Sequence, residues 1–152
     1  MNSSLITKYK SAIILTLALT VFLASCKLPT TTPGKSWVVT TLAGSGTAGD
    51  KNGTGTAAQF DKPHSVTVVG SGNSVFIYVA DAGNNRIRKI TSAGKVTTLA
   101  GGTAGDDDAT GTAAQFNYPF GVAVDSSGNL YVAEANNHRI RKITREKIQA
   151  PM

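Results

Sequence analysis

Short stretches in which apolar and polar residues alternate dominate the second half of the chain. Gly121–Asp125 (GVAVD) and Leu130–Glu134 (LYVAE) flank Ser126-Ser127-Gly128-Asn129, and His138–Thr144 (HRIRKIT) follows the turn Ala135-Asn136-Asn137. The same order occurs upstream as His64–Val69, Val75–Asp81 and Asn85–Thr91, after which Ser92-Ala93-Gly94 leads into Lys95–Ala100. Period-two runs bounded by Gly, Asn and Ser predict β-strands joined by tight turns, because those residues accept positive φ or bond their own backbone. Ser36–Ala43 predicts a further strand, which brings the expected strands to eight: one, then four, then three.

The pattern is an internal repeat. TTLAG stands at Thr40–Gly44 and at Thr97–Gly101, TGTAAQF at Thr54–Phe60 and Thr110–Phe116, and NNRIRKIT at Asn84–Thr91 returns as NHRIRKIT at Asn137–Thr144. The offset shortens from 57 to 53 residues, since the first copy carries three extra residues near Ser71–Ser74. Repeats of this length are supersecondary units that bury their faces by stacking on neighbours. Four short antiparallel strands per unit predict an all-β fold of β-propeller blades. Gly44–Lys62 and Gly101–Tyr118 are long connections for a compact domain. Single helical turns are expected at Ala57–Phe60 and Ala113–Phe116, with Phe60 and Phe116 anchoring each connection on its blade.

Pro119–Ile143 (PFGVAVDSSGNLYVAEANNHRIRKI) resembles an NHL repeat, with Asn137-His138-Arg139 at the position of the Asn-His-Leu motif. Pro63–Ile90 is a looser copy in which Asn84-Asn85-Arg86 lacks the histidine. The resemblance spans Trp37–Thr144 and implies propeller blades, usually six to a ring, that bind proteins or, in some eukaryotic members, RNA. Neither partner carries over on fold alone. Propellers close with about four to eight blades, whereas two blades' worth of strands is present. The repeat stops at Thr144, where Arg145–Met152 (REKIQAPM) departs from the pattern. A truncated longer propeller and a homotrimer completing a six-bladed ring both fit, with truncation preferred.

The opening of the chain is of another kind. Met1–Lys10 is basic through Lys8 and Lys10, and Ser11–Ala24 is an uncharged apolar run of 14 residues. As a helix it would reach about 21 Å, short of the roughly 30 Å hydrocarbon core, which fits an export signal. Leu23-Ala24-Ser25-Cys26 resembles the lipobox of bacterial lipoproteins, which implies cleavage before Cys26 and its acylation. Cys26 is the only cysteine, so no intramolecular disulfide can form. Lys27 in place of Asp leans toward the outer membrane in a Gram-negative source. The expected organisation is a signal peptide at 1–25, a lipidated Cys26 with a Pro/Thr tether to residue 36, two repeats at 37–144 and a non-repeat tail at 145–152.

The formal net charge is +6. Without residues 1–25, 13 basic and 9 acidic side chains remain, a net +4. Much of the excess lies in Arg86, Arg88, Lys89 and their copies Arg139, Arg141, Lys142, without interleaved aromatics to stack bases, so nucleic acid is not an expected partner. Asp81 and Glu134 end equivalent strands and are expected to bond turn amides or the following Arg86 or Arg139. His138 stands where the first copy has Asn85 and His64 where the second has Phe120, which argues against a catalytic histidine.

Asp50-x-Asn52-x-Thr54-Gly55 with Asp61, and Asp106-x-Asp108-x-Thr110-Gly111 with Asn117, show calcium-loop spacing. They lack the bidentate Glu, and Asp, Asn and Gly are also what turns prefer, so no metal or cofactor is expected. No nucleophile–base–acid set is present. The leading expectation is a lipid-anchored, non-enzymatic binding or scaffold module of the cell envelope with a protein or glycan partner. The alternatives are part of a metal-dependent gluconolactonase-like hydrolase or a trimeric two-blade lectin. A lectin would lack a tryptophan platform in each blade, since Trp37 is the only tryptophan, leaving Tyr78 and Tyr131.

Overall fold

The structure is a computed structural model that describes residues 34–145. The chain divides into two units, Met1–Val39 and Thr40–Met152, and both sheets lie in the second. The signal segment, Cys26 and the tail from residue 146 lie outside the described residues.

Among the described residues there are eight strands: β1 (Gly53–Thr54), β2 (Pro63–Val69), β3 (Phe76–Asp81), β4 (Arg86–Thr91), β5 (Lys95–Gly101), β6 (Pro119–Val124), β7 (Leu130–Glu134) and β8 (Arg139–Ile143). They form two antiparallel sheets, one ordered β1-β5-β4-β3-β2 and one ordered β6-β7-β8. The fold is all-β, with each sheet built as a propeller blade. Equivalent bulges between Pro63 and Ser65 and between Pro119 and Gly121 mark the start of the first long strand of each sheet.

Alternation along the strands decides what each face buries. Tyr78, Ala80, Ile87, Leu99 and Ala100 of the first sheet pack against Val122, Val124, Leu130, Val132 and Ile143 of the second, with Ala114 and Phe116 in the same cluster. The opposite face of the first sheet forms a second cluster of Val79, Ile90 and Val96 with Ala58, supported by Ala43, Phe60 and Ile77. The sheets are also tied backbone to side chain, since Ser65 Oγ accepts from Val122 N at 3.2 Å and donates to Val122 O at 3.5 Å.

Two expectations change. Ser36–Ala43 is not a strand, because a strand needs a ladder partner and none of the described residues supplies one. The edge of the first sheet is taken by β1 instead, whose Gly53 and Thr54 pair with Val96 and Lys95. The helical turns fall two residues early, as 3-10 turns at Gly55–Ala57 and Gly111–Ala113. Gly55 and Gly111 enter them with φ of 58° and 59°, and their carbonyls accept from Ala58 N and Ala114 N. Phe60 and Phe116 do anchor the long connections: Phe116 is in the core between the sheets and Phe60 packs on the outer cluster.

Candidate functional site

Asp81 and Arg88 are both fully buried and paired at 2.8 Å. The guanidinium faces Asp81 because the connection before the blade wraps over it with its carbonyls inward. Arg88 Nη1 also donates to Gln59 O at 2.9 Å, and Nη2 donates to Lys51 O at 3.2 Å and Asn52 Oδ1 at 2.8 Å. Asp81 accepts in turn from Asp61 N at 2.8 Å and Asn84 Nδ2 at 2.9 Å. Arg88 Nε is the one buried side-chain polar atom without a partner among the described residues. Phe60 lies under the guanidinium at 5.1 Å.

The second blade repeats this clamp. Arg141 pairs with Glu134 at 2.9 Å and with Asp108, and donates to Gln115 O and Asp107 O at 3.1 Å each. Glu134 accepts from Asn117 N at 2.8 Å and Asn137 Nδ2 at 2.7 Å. Burial lowers the Arg141 pKa, but the Glu134 hydrogen bond and the Asp108 and Glu134 charges outweigh it, so the net displacement is upward.

Asp81 and Glu134 therefore hold structure, and they do bond loop amides as expected. Their cationic partners are Arg88 and Arg141 rather than Arg86 and Arg139. Asp81 stands directly across the ladder from Arg86, but Arg88 is the arginine enclosed by the connection, and burial selects the buried carboxylate as its partner. Arg86 and Arg139 reach the exposed Asp50 and Asp106 at 3.2 Å and 3.0 Å.

The calcium-like loops are occupied by the same arginines. Asp50, Asp106 and Asp108 pair with guanidinium groups, and Asn52 Oδ1 receives Arg88. A cation at either loop would have to displace them. Among the described residues no group of three or more His, Cys, Asp or Glu gathers in metal-binding geometry.

A different cluster faces solvent where β2 and β6 begin. His64 lies against Phe120, ring centroids 4.1 Å apart, and edge-on to Tyr118 at 5.6 Å. His64 Nε2 is 3.2 Å from the Tyr118 hydroxyl. Phe120 is 50% exposed. Lys62 and Tyr118, the residues before the two prolines, both sit in the left-handed region at φ 49° and 54°. That backbone turns the chain sharply into each strand; Asn85 Oδ1 fixes it in the second blade by accepting from Tyr118 N at 2.9 Å. Beside Phe120, an open hollow of about 360 Å³ is lined by Ala133, His138, Arg139 and Ile140. Sequence reasoning placed His64 and Phe120 at one repeat position but did not reveal that they stack; adjacent blades bring equivalent positions together, which is the signal it left unused.

Such sheets, repeated about a common edge, define a β-propeller-type protein. Residues 116–143 match the family model for the NHL repeat. NHL repeat-containing protein 2 of Homo sapiens is 35% identical over 97 residues, covering 61% of this chain and 13% of that protein. Protein SUPPRESSOR OF QUENCHING 1, chloroplastic, of Arabidopsis thaliana is 38% identical over 101 residues, or 65% of this chain and 9% of that one.

A crystal structure of an auxiliary nutrient binding protein from Bacteroides ovatus superposes with a TM-score of 0.61 at 30% identity, over 66% of this chain and 27% of that one. One from Bacteroides thetaiotaomicron, described in the same words, gives 0.58 at 33% identity, over 65% and 26%. A third, from Bacteroides thetaiotaomicron and described as a proposed phosphatase, gives 0.61 at 26% identity. The chain thus spans about a tenth of those curated relatives and about a quarter of the solved chains.

Proposed function

We propose that the chain is a non-enzymatic binding module of the bacterial cell envelope, held at the membrane through a lipidated Cys26. The observation that carries the binding reading is the solvent-facing His64–Tyr118–Phe120 cluster, with His138 and Arg139 lining the hollow beside Phe120. Exposed ring faces beside the Arg139 guanidinium suit a ligand that has both a flat apolar face and polar or anionic substituents. A sugar ring or a protein loop has that chemistry. Two of the Bacteroides neighbours, at 30% and 33% identity, are described as nutrient binding proteins, which supports the same reading.

The neighbour described as a phosphatase favours a hydrolase as the second reading. The carboxylates such chemistry would draw on, Asp81 and Glu134, are tied to Arg88 and Arg141 instead. The test is titration calorimetry of the chain with envelope glycans and peptides, set beside Phe120→Ala. We expect a ligand whose affinity falls about tenfold in the variant, the effect of losing roughly 1.4 kcal/mol of ring contact. Hydrolysis of phosphate or lactone esters by the purified chain would overturn the non-enzymatic reading. A Cys26→Ser chain that still fractionated with membranes would overturn the anchor.

A further inference from the structure

The second sheet lacks counterparts of both β5 and β1, and the place of the β5 counterpart, beside β8, is open. In the first sheet β5 lies between β4 and β1, bonded on both sides. In the second, β8 has no outer neighbour among the described residues. Ala109 and Thr110, the counterparts of Gly53 and Thr54 in β1, line a gap of about 600 Å³ with Arg141 and Ile143 of β8 and Leu99 and Ala100 of the first sheet. The gap is therefore bounded as the β5 slot is bounded, by a strand edge on one side and the wrapped connection on the other.

A segment that fits this gap exists elsewhere in the chain. Val38–Gly44 (VVTTLAG) repeats Lys95–Gly101 (KVTTLAG) of β5 at six of seven positions. Thr40–Ala43 has no ladder partner among the described residues. It cannot fill the gap of its own chain: Ala43 packs on the face of the first sheet turned away from the second, and Gly44 N is bonded to Gly55 O at 3.1 Å.

The apolar faces repeat the point. Ile87 is fully buried between the sheets, whereas its counterpart Ile140 is 71% exposed. Tyr131 and Ala133 likewise copy Tyr78 and Ala80, which pack against the second sheet. Reciprocally, Val122 and Val124 pack against the first sheet, while their counterparts Val66 and Val68 are 61% and 58% exposed. Each open face is thus a copy of a face already mated within the chain, and the two open faces are complementary to each other rather than to themselves.

We propose that copies of this chain associate head to tail, with Val38–Gly44 of one copy entering the gap beside β8 of the next. The Tyr131–Ala133–Ile140 face of that copy then covers Val66 and Val68 of the first. The contact is heterologous, so it closes into a ring only when the blade rotation sums to a full turn; three copies supply six blades, within the range of about four to eight in which propellers close. A free strand edge is a ready template for such addition. The register follows from β5, where Thr97 stands opposite Lys89: Thr40 should stand opposite Lys142 of the neighbouring copy. This inference does not depend on the ligand proposed above.

Cross-linking tests it in the full chain carrying Cys26→Ser, which removes the only native cysteine. Thr40 and Lys142 are both exposed, so cysteine at either position leaves the fold undisturbed. Mixing Thr40→Cys chains with Lys142→Cys chains under mild oxidant should give a disulfide-linked dimer containing one of each. The double variant should give a ladder ending at a closed trimer. Ile140→Asp should abolish both products while the β-sheet circular dichroism signal is retained. A protein that stays monomeric by light scattering, or that cross-links only like to like, overturns the proposal. Loss of ligand binding in an intact ring would overturn the binding reading alone.

Discussion

Each clamp arginine spends its charge on one carboxylate and its remaining donors on backbone carbonyls of a connection that has little regular structure of its own. Arg88 is closed off from water with Asp81, whereas the Asp108 side of the Arg141 clamp is open to solvent. Removing one partner of a fully buried pair leaves an uncompensated charge, which typically costs about 3–5 kcal/mol. Asp81→Ala should therefore destabilise the chain by about that amount in urea unfolding, whereas Asp106→Ala, at an exposed pair, should cost about 1 kcal/mol or less. Similar losses from the two would refute a structural role for the buried pair. The Asp81–Arg88 pairing was not legible in the sequence. Strand alternation puts Arg86 and Arg88 on one face and ladder register favours Arg86; only the path of the connection over Arg88 decides between them.

At the scale of elements, strands were the most legible part, because each period-two run ends in residues that permit a reversal. The seven strands from His64 onward stand within a residue or two of where the pattern puts them. The connections were less legible: Gly-Thr-Ala is too short to signal a 3-10 turn, and β1 exists only because β5 lies beside it. Gly101 shows how closely such segments fit, since at φ 82° an added Cβ would lie 2.6 Å from the Phe116 ring.

The turn between β6 and β7 carries its own titration. Asp125 accepts from Asn129 Nδ2 at 2.8 Å and from the amides of Asn129 and Ser127 at 2.9 Å each. Led by the Asn129 side-chain bond, these hold its carboxyl below the usual value of 3.8. A carboxylate with a lowered native pKa binds fewer protons folded than unfolded, so its contribution is complete above 3.8 and fades as pH falls through the native value. The melting temperature of Asp125→Asn should therefore respond less to acidification below about pH 4 than that of the parent chain. Parallel acid limbs for the two would show that the turn does not draw on the charge.

The whole molecule combines one mated interface with two unmated halves of the same interface. The repeat in the sequence announced both, since Ile87 and Ile140 lie in identical strings, but which copy is covered depends on what stands next to it. Two sheets with exposed valine and isoleucine faces bury less of their surface than a closed ring, and small assemblies of this kind gain stability chiefly by association. If the open faces mate between copies, folding is linked to concentration, because the associated state draws unfolded chains with it as concentration rises. The melting temperature of the Cys26→Ser chain should accordingly rise by several degrees between micromolar and hundred-micromolar protein. Ile140→Asp, whose charge would be buried without a partner at the contact, should melt at a lower temperature that is independent of concentration. A parent chain whose melting temperature is flat across that range would be stable as two blades, and its open faces would then have to be tolerated in water as they stand.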